Sequence, residues 1–393
     1  MHDRRTLLAA AAAALGAAGA ARAAALPFAN GERPLVRYPQ KRPLLRLTTR
    51  PPQLETPFEV FGESLLTPND AFFVRYHLAG SPPQLDATAW RLTVSGAVDR
   101  PLDLTLAALK RDFRPLDLTA VLQCSGNGRG YSEPRVGGGQ IGNGMMGNAR
   151  WTGVPLKAVL EKAGVKAGAV QLAFNGADAP PSPGIADFVK TLELPHALDG
   201  EVMLAFAMNG KDLPVLNGYP LRLVVPGWYG TYWIKHLTGI EVLDKPVAPY
   251  WMQTAYRIPD TDCACVVPGA AAGTTVPINR LNVRSFITSH ADGTRVRAGR
   301  LTLRGVAFDG GAGIGAVEIS TDGGKSWVPA ALGPDQGRYG FRAWSAPVAL
   351  PPGAHALQVR AVNAKGEGQP TQARWNPSGY MRNVIETVRV TAA

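Results

Sequence analysis

Cys124 is the residue of this chain best placed to do chemistry. It sits in Leu122-Gln123-Cys124-Ser125-Gly126-Asn127-Gly128-Arg129, where an apolar run ends and a glycine-rich loop begins. A cysteine that merely fills a core has no need of a polar, flexible loop directly after it. A thiolate at a strand end beside Arg129 would be held ionised, able to act as a nucleophile or as a ligand to a soft metal. Arg75 follows Phe72, Phe73 and Val74, and Arg222 lies inside Leu221-Arg222-Leu223-Val224-Val225. A guanidinium set in so apolar a run needs an anion, which its planar fork grips well.

Other metal chemistry finds little support. The cysteines are Cys124, Cys263 and Cys265, so at most one bridge can form and no disulfide scaffold exists. There is no Cys-x-x-Cys, and His2, His77, His196, His236, His290 and His355 are scattered. Zinc spacing and the Cys-x-x-Cys-His haem signature are therefore both missing.

The elements that must position these residues fall into four stretches. Met1 to about Ala25 reads as a signal peptide: Arg4-Arg5 open it, Leu7 to Ala21 are apolar, and Ala21-Arg22-Ala23 resembles a cleavage site. The paired arginines followed by Thr6-Leu7-Leu8 point to a twin-arginine signal and hence to the periplasm. Residues 26–65 are Pro- and Arg-rich and read as an extended arm. Residues 66–265 alternate short strands with turns, and helices are expected only at Thr105 to Arg111 and Pro155 to Ala163, the latter stopped by Gly164. This region reads as α+β. From 277 to 393 the runs Leu301 to Ala307, Ala316 to Ser320 and Ala356 to Val362 alternate apolar and polar residues between Gly/Pro turns. That texture, with Trp327 and Trp344 as core aromatics, predicts an immunoglobulin-like β-sandwich. The linker lies near Val266 to Pro277, where Gly269-Ala270-Ala271-Ala272-Gly273 is small and flexible.

Composition narrows the function class. Hydrophobic residues are 46% and charged residues 18%, with 44 Gly and 33 Pro, which suits a strand- and loop-rich enzyme and argues against disorder. No apolar run in the body of the chain is long enough to span a membrane. The formal charge is +11 and the basic residues are scattered, without a nucleic-acid-binding signature. An anionic small substrate is the expected partner, not nucleic acid.

Four separated motifs together resemble the sulfite oxidase family of molybdenum enzymes, and among them the bacterial periplasmic sulfite dehydrogenases. They are Phe73-Val74-Arg75-Tyr76-His77, Gln123-Cys124-Ser125-Gly126-Asn127, Gly147-Asn148-Ala149-Arg150-Trp151, and Tyr219-Pro220-Leu221-Arg222-Leu223-Val224-Val225-Pro226-Gly227 with Trp233-Ile234-Lys235. The resemblance covers about residues 55–390 and includes the Ser320 to Trp327 hairpin. It implies a molybdopterin domain followed by an immunoglobulin-like dimerisation domain, with molybdenum-molybdopterin as cofactor and Cys124 as the thiolate on the metal. Arg75 and Arg129 match arginines that hold the substrate anion, and Trp151 matches a pocket-wall indole. Tyr256 stands where the family has its active-site tyrosine. Phe73, Val74, Tyr76, His77, Asp178, Asn217, Arg222, Trp233, Ile234 and Lys235 are the matching cofactor-anchoring positions.

The implied activity is oxidation of sulfite to sulfate, with electrons passed to a c-type cytochrome. A sulfane-sulfur dehydrogenase subunit of a thiosulfate-oxidising complex is the rival within the family. A non-catalytic secreted binding protein using the sandwich alone is the rival outside it. Two departures stand out. No haem domain accompanies the chain, so electrons must leave to a separate protein. Relatives also carry an arginine in a glycine-rich turn of the sandwich, whereas Asp309-Gly310-Gly311-Ala312-Gly313-Ile314-Gly315 has none. Cys263 and Cys265 match no metal position; they read as ordinary loop thiols, with a bridge between them as the alternative.

Overall fold

The computed structural model describes residues 23–25, 32–79 and 85–393. The expected signal peptide falls almost wholly outside the described residues.

The described residues form mostly β-structure. The α-helices among them are short: Leu106–Asp112, Leu156–Ala163, Leu194–Ala197 and Tyr250–Gln253. Both expected helices are present within a residue of their expected ends. Thr105 caps the first by accepting from the Ala108 N–H. The second buries Leu156, Val159, Leu160 and Ala163 on one face and ends at Gly164 with φ +72°.

The Pro- and Arg-rich arm differs from expectation. It is built into an antiparallel sheet in which Glu32–Val36, Leu44–Thr48 and Gln53–Glu55 lead to Val74–Arg75. Gln53 pairs with Arg75, so the arm fixes the strand that carries the first arginine. A second sheet runs Lys190–Glu193, Gln171–Gly176, Leu237–Leu243, Arg91–Gly96 and Leu102–Thr105, with Leu237–Leu243 parallel to Arg91–Gly96. A third runs Lys211–Asp212, Met203–Met208, Met146–Pro155 and Leu116–Gln123, with Arg222–Val224 also paired to Met203–Met208.

The C-terminal part is two sheets facing each other. One orders Arg284–Ile287, Gly299–Phe308, Arg342–Leu350 and Ala331–Leu332; the other orders Thr294–Val296, Thr387–Ala392, Gly353–Asn363, Ile314–Ser320 and Val328–Pro329. Leu303, Val317, Ile319, Trp344, Leu357, Val359 and Val390 fill the space between them. Trp327 is not in that core. It is half-buried on the surface, beneath the Arg360 guanidinium at 4.3 Å.

Along Gly299–Phe308 the alternation stops at Val306, and the last residues are buried on both faces. Val306 and Phe308 pack into the core that also holds Phe61, Phe72 and Leu122. The two parts of the chain thus share one continuous apolar core at their junction.

Candidate active site

The strand Leu116–Gln123 becomes fully buried in its second half and delivers Cys124 at its end. The Cys124 N–H donates to the Met145 carbonyl at 2.9 Å, and the Cys124 carbonyl accepts from Asn127 at 3.0 Å, which turns the chain sharply. Gly128 completes the turn at φ +89°, and a Cβ there would lie 2.7 Å from Arg382 Cδ, so only glycine fits. Cys124 is a buried free thiol, whereas Cys263 and Cys265 are joined as a disulfide.

Cys124 opens into a cavity within the fold. Phe73, Arg75, His77, Asp178, Asn217, Arg222, Trp233, Lys235 and Tyr256 line it, with Leu122, Ser125, Phe188, Leu216, Gly230 and Thr231. The fold therefore gathers most of the candidate residues around one space. Of the others, Val74 is buried with Leu44 and Leu54. Ile234 is core. Tyr76 turns away and bonds His236 Nε2 at 2.7 Å.

Trp151 does not reach the cavity. Its indole N–H is donated to the Ala120 carbonyl at 3.1 Å, and its ring packs behind Arg222, whose guanidinium lies 5.0 Å away. A fully buried indole whose N–H is already bonded to backbone supports Arg222 and has no donor left for a substrate. Arg129 also lies outside the lining, at the edge beside Gly126 and Gly138, with Nε donating to Ser378 O at 2.8 Å.

The cavity wall is cationic. Arg222 donates to Asn217 O at 2.8 Å and Trp233 O at 3.1 Å, and burial lowers its pKa to about 9. Lys235 donates to Arg75 O at 2.7 Å; burial lowers its pKa to about 7 against the opposing pull of Asp178. Burial raises Asp178 in turn, and Lys235 works the other way. Three cations thus face one weakened carboxylate. Buried cations in this ratio call for an anionic occupant.

Asn217 is held by two bonds, accepting from Lys41 Nζ at 2.5 Å and donating to Phe73 O at 3.0 Å. Gly218, at φ +110°, lets the backbone pass against Arg222 and Lys235. The Tyr256 hydroxyl meets His77 Nε2 at 2.5 Å, and Tyr256 itself sits at φ +59°. A left-handed tyrosine is a strained residue, of the kind that clusters at functional sites. His77 stacks on Phe188 at 3.7 Å, and burial followed by the nearby cations Arg75, Lys235 and Lys190 holds its pKa well below the ordinary value.

Four buried polar atoms of the lining have no partner: His77 Nδ1, Ser125 Oγ, Arg222 Nε and Thr231 Oγ1. Buried polar groups are almost always bonded, so a cluster of orphans around one cavity marks where a polar ligand belongs.

Sequence reasoning missed Phe188, Lys190, Thr231 and Tyr380. Lys190 is fully buried, 5.3 Å from the Tyr256 ring, and donates to Trp251 O at 2.7 Å. Its signal was present: a cation inside the apolar run Phe188 to Leu192 is the same cue that singled out Arg222. Tyr380, stacked on Tyr256, carries no such cue.

Residues 79–251 match the oxidoreductase molybdopterin binding domain, and residues 275–393 match the Mo-co oxidoreductase dimerisation domain. The chain is 33% identical to mitochondrial sulfite oxidase of Homo sapiens over 383 residues, covering 93% of this chain and 69% of that protein. It is 33% identical to sulfite oxidase of Gallus gallus over 369 residues, covering 90% of this chain and 79% of that one. Among solved structures, the sulfane dehydrogenase SoxCD from Paracoccus pantotrophus superposes with a TM-score of 0.75 at 28% identity, covering 93% of this chain and 87% of that one.

Proposed function

Because the chain belongs to the sulfite oxidase family of molybdenum-molybdopterin oxidoreductases, we propose that it oxidises sulfite to sulfate in the periplasm and hands the electrons to a c-type cytochrome.

The cavity suits the cofactor. Among the described residues no cluster of three or more His, Cys, Asp and Glu could hold a metal ion unaided. A metal at Cys124 therefore needs donors brought by a cofactor, and the thiolate is the soft ligand the protein adds. Arg222, Lys235, Asn217 and Thr231 would hold the pterin and its phosphate, and the orphaned His77 Nδ1 and Arg222 Nε gain partners. When bound, the group supplies the two-electron redox change.

The protein's own residues do the rest. Arg75 lines the cavity and binds the sulfite dianion; Arg129 stands at the edge, ready to share that charge. The His77 Nε2–H donates to the Tyr256 oxygen, which leaves the phenol its own proton to donate to the bound oxyanion. Phe188, Trp233 and Leu122 keep water away from the thiolate side, which strengthens each of these charge interactions. Sulfite and water become sulfate, with two protons and two electrons released.

The observation that carries this reading is the meeting of one free thiol, three cations and four unpartnered polar atoms in one cavity. Metal analysis of exported protein, followed by sulfite-dependent reduction of a c-type cytochrome, tests it. One molybdenum per chain with sulfite turnover is expected; protein without molybdenum or without turnover refutes it. Family membership removes the non-catalytic binding protein from consideration.

A second reading has its own support. The turn Asp309 to Gly315 carries no arginine, and it is closed on itself by Asp309 accepting from the Gly311 and Gly313 N–H groups. That departure and the likeness to SoxCD favour oxidation of sulfane sulfur. Turnover of a sulfane-sulfur donor with no sulfite turnover would select it. We further read the C-terminal sandwich as immunoglobulin-like and as the face of a homodimer, in keeping with its match to a dimerisation domain.

A further inference from the structure

The C-terminal part of the chain packs against the loop that follows Cys124. The segment from Trp375 to Arg382 joins the strands Gly353–Asn363 and Thr387–Ala392 and lies over the loop that follows Cys124. Met381 N–H donates to Ser125 O at 3.2 Å, and Arg129 Nε donates to Ser378 O at 2.8 Å. Asn376 bonds Tyr380 twice, accepting from its N–H at 3.1 Å and donating to its carbonyl at 2.9 Å. Asn376 also donates to Ala264 O at 3.3 Å, inside the loop closed by the Cys263–Cys265 bridge.

The backbone is contorted to achieve this. Met381 is at φ +62°, and a Cβ on Gly379 would fall 2.8 Å from Arg129 Cγ. Strain of this kind persists only where surrounding contacts over-determine it. What it secures is the place of Tyr380. The ring lies 4.9 Å from the Arg129 guanidinium carbon and 5.6 Å from the Tyr256 ring, with the two tyrosines inclined by only 7°.

We propose that Tyr380 is a positioning residue that sets the site's affinity for its oxyanion substrate by holding Arg129 against a flat aromatic face. A guanidinium on a ring keeps few of its rotamers, so less freedom is lost when an anion arrives. The C-terminal part thus acts on the anion site through an aromatic ring and its bonds to the loop after Cys124, in a chain whose 309–315 turn offers no guanidinium.

This inference rests on Arg129 being an anion-binding arginine. The test compares the full-length holoenzyme with its Tyr380→Leu, Tyr380→Phe, Arg129→Gln and Tyr380→Leu/Arg129→Gln variants. Steady-state sulfite kinetics and calorimetric titration with sulfate are read together with thermal unfolding. Tyr380→Leu should raise the sulfite KM and the sulfate Kd roughly tenfold, with kcat changed by no more than about threefold. Tyr380→Phe should recover most of that loss, since the ring and not the hydroxyl does the stacking. In the Arg129→Gln background the Leu change should add almost nothing, because it acts through the missing guanidinium.

A Leu variant within about twofold of the parent in both KM and Kd overturns the proposal. So does a full Leu effect in the Arg129→Gln background, or an affinity loss that only tracks the unfolded fraction. Sulfate affinity equal in parent and Arg129→Gln refutes the role of Arg129 itself, and this proposal with it, whatever Tyr380 does.

Discussion

The Tyr256 hydroxyl and Nε2 of His77 are 2.5 Å apart, a contact between residues separated by 179 positions. Burial, then the Arg75, Lys235 and Lys190 charges, disfavours the charged form of the imidazole. Burial likewise keeps the phenol protonated. With the imidazole Nε2–H donated to the phenol oxygen, the phenol keeps its own proton for a reacting oxyanion.

Removing the hydroxyl should show this. Tyr256→Phe keeps the ring between Tyr380 and Lys190 but deletes the proton donor. Steady-state assays with sulfite should show kcat/KM lowered by roughly 10²-fold, the low end for a general acid–base group, with little change in thermal stability. An unchanged kcat/KM would make the tyrosine a packing residue.

Cys124→Ser should abolish sulfite oxidation while the protein still folds, since serine is close in size and the loop is held by backbone bonds such as Cys124 N–H to Met145 O. An oxygen in that place is a hard donor and a poor substitute for a soft thiolate. Circular dichroism and metal content measured on the same sample separate loss of chemistry from loss of fold. Near-normal turnover in a molybdenum-loaded Ser variant would end the ligand assignment.

Arg75 lines the cavity and is locked by its strand's pairing with Gln53–Glu55. Arg75→Gln should raise the sulfite KM, with kcat/KM falling by two or more orders of magnitude, since leaving a buried charge without its partner costs roughly 2–5 kcal/mol. Exposed Arg389→Gln, on the far strand Thr387–Ala392, is the control and should change neither constant.

Much of this site could be read before folding because its members carry contradictions that sequence displays. Arg222 in an apolar strand and Cys124 at a glycine-rich loop are both out of keeping with their neighbours, and such conflicts mark function. Trp151 misled because an indole in a motif looks the same whether its N–H faces a ligand or a carbonyl such as Ala120 O. The arm's sheet was hidden by its prolines, although Pro34 sits inside the strand Glu32–Val36, paired with Ala23. Tyr380 could not be read at all. Its role arises from a fold that brings residue 380 to residue 256, and no local pattern encodes that meeting.

The acid limb of stability should be set in part by His236. It is fully buried, bonded to Tyr76 and Tyr219 O, and burial lowers its pKa to about 3. Above about 6.5 neither the folded nor the unfolded imidazole is charged, so the residue adds no pH dependence there. Between about 6.5 and about 3 the unfolded chain takes up a proton that the folded one refuses, and stability falls as pH falls. The loss from this group is at most roughly 5 kcal/mol across that window. Denaturant midpoints between pH 7 and pH 4 should therefore decline more steeply in the parent than in His236→Gln. Equal slopes would show that other groups set the acid limb.

On the proposed reading the electrons pass to a separate cytochrome, and charge should guide that protein. The formal charge is +11, and removing a leader with Arg4, Arg5, Arg22 and Asp3 lowers it by two, to +9. A strongly basic donor steers an acidic partner over distances comparable to the Debye length, about 8 Å at physiological ionic strength. With sulfite saturating, the rate of c-type cytochrome reduction should therefore fall as salt is raised, while sulfite binding at the buried cavity changes far less. The two effects separate cleanly, because the cavity's cations are shielded from solvent and an encounter surface is not. Stopped-flow reduction at varied salt makes the comparison. A flat salt dependence would remove the electrostatic contribution, and rapid sulfite-dependent reduction of oxygen or NAD with no added protein would remove the separate acceptor altogether.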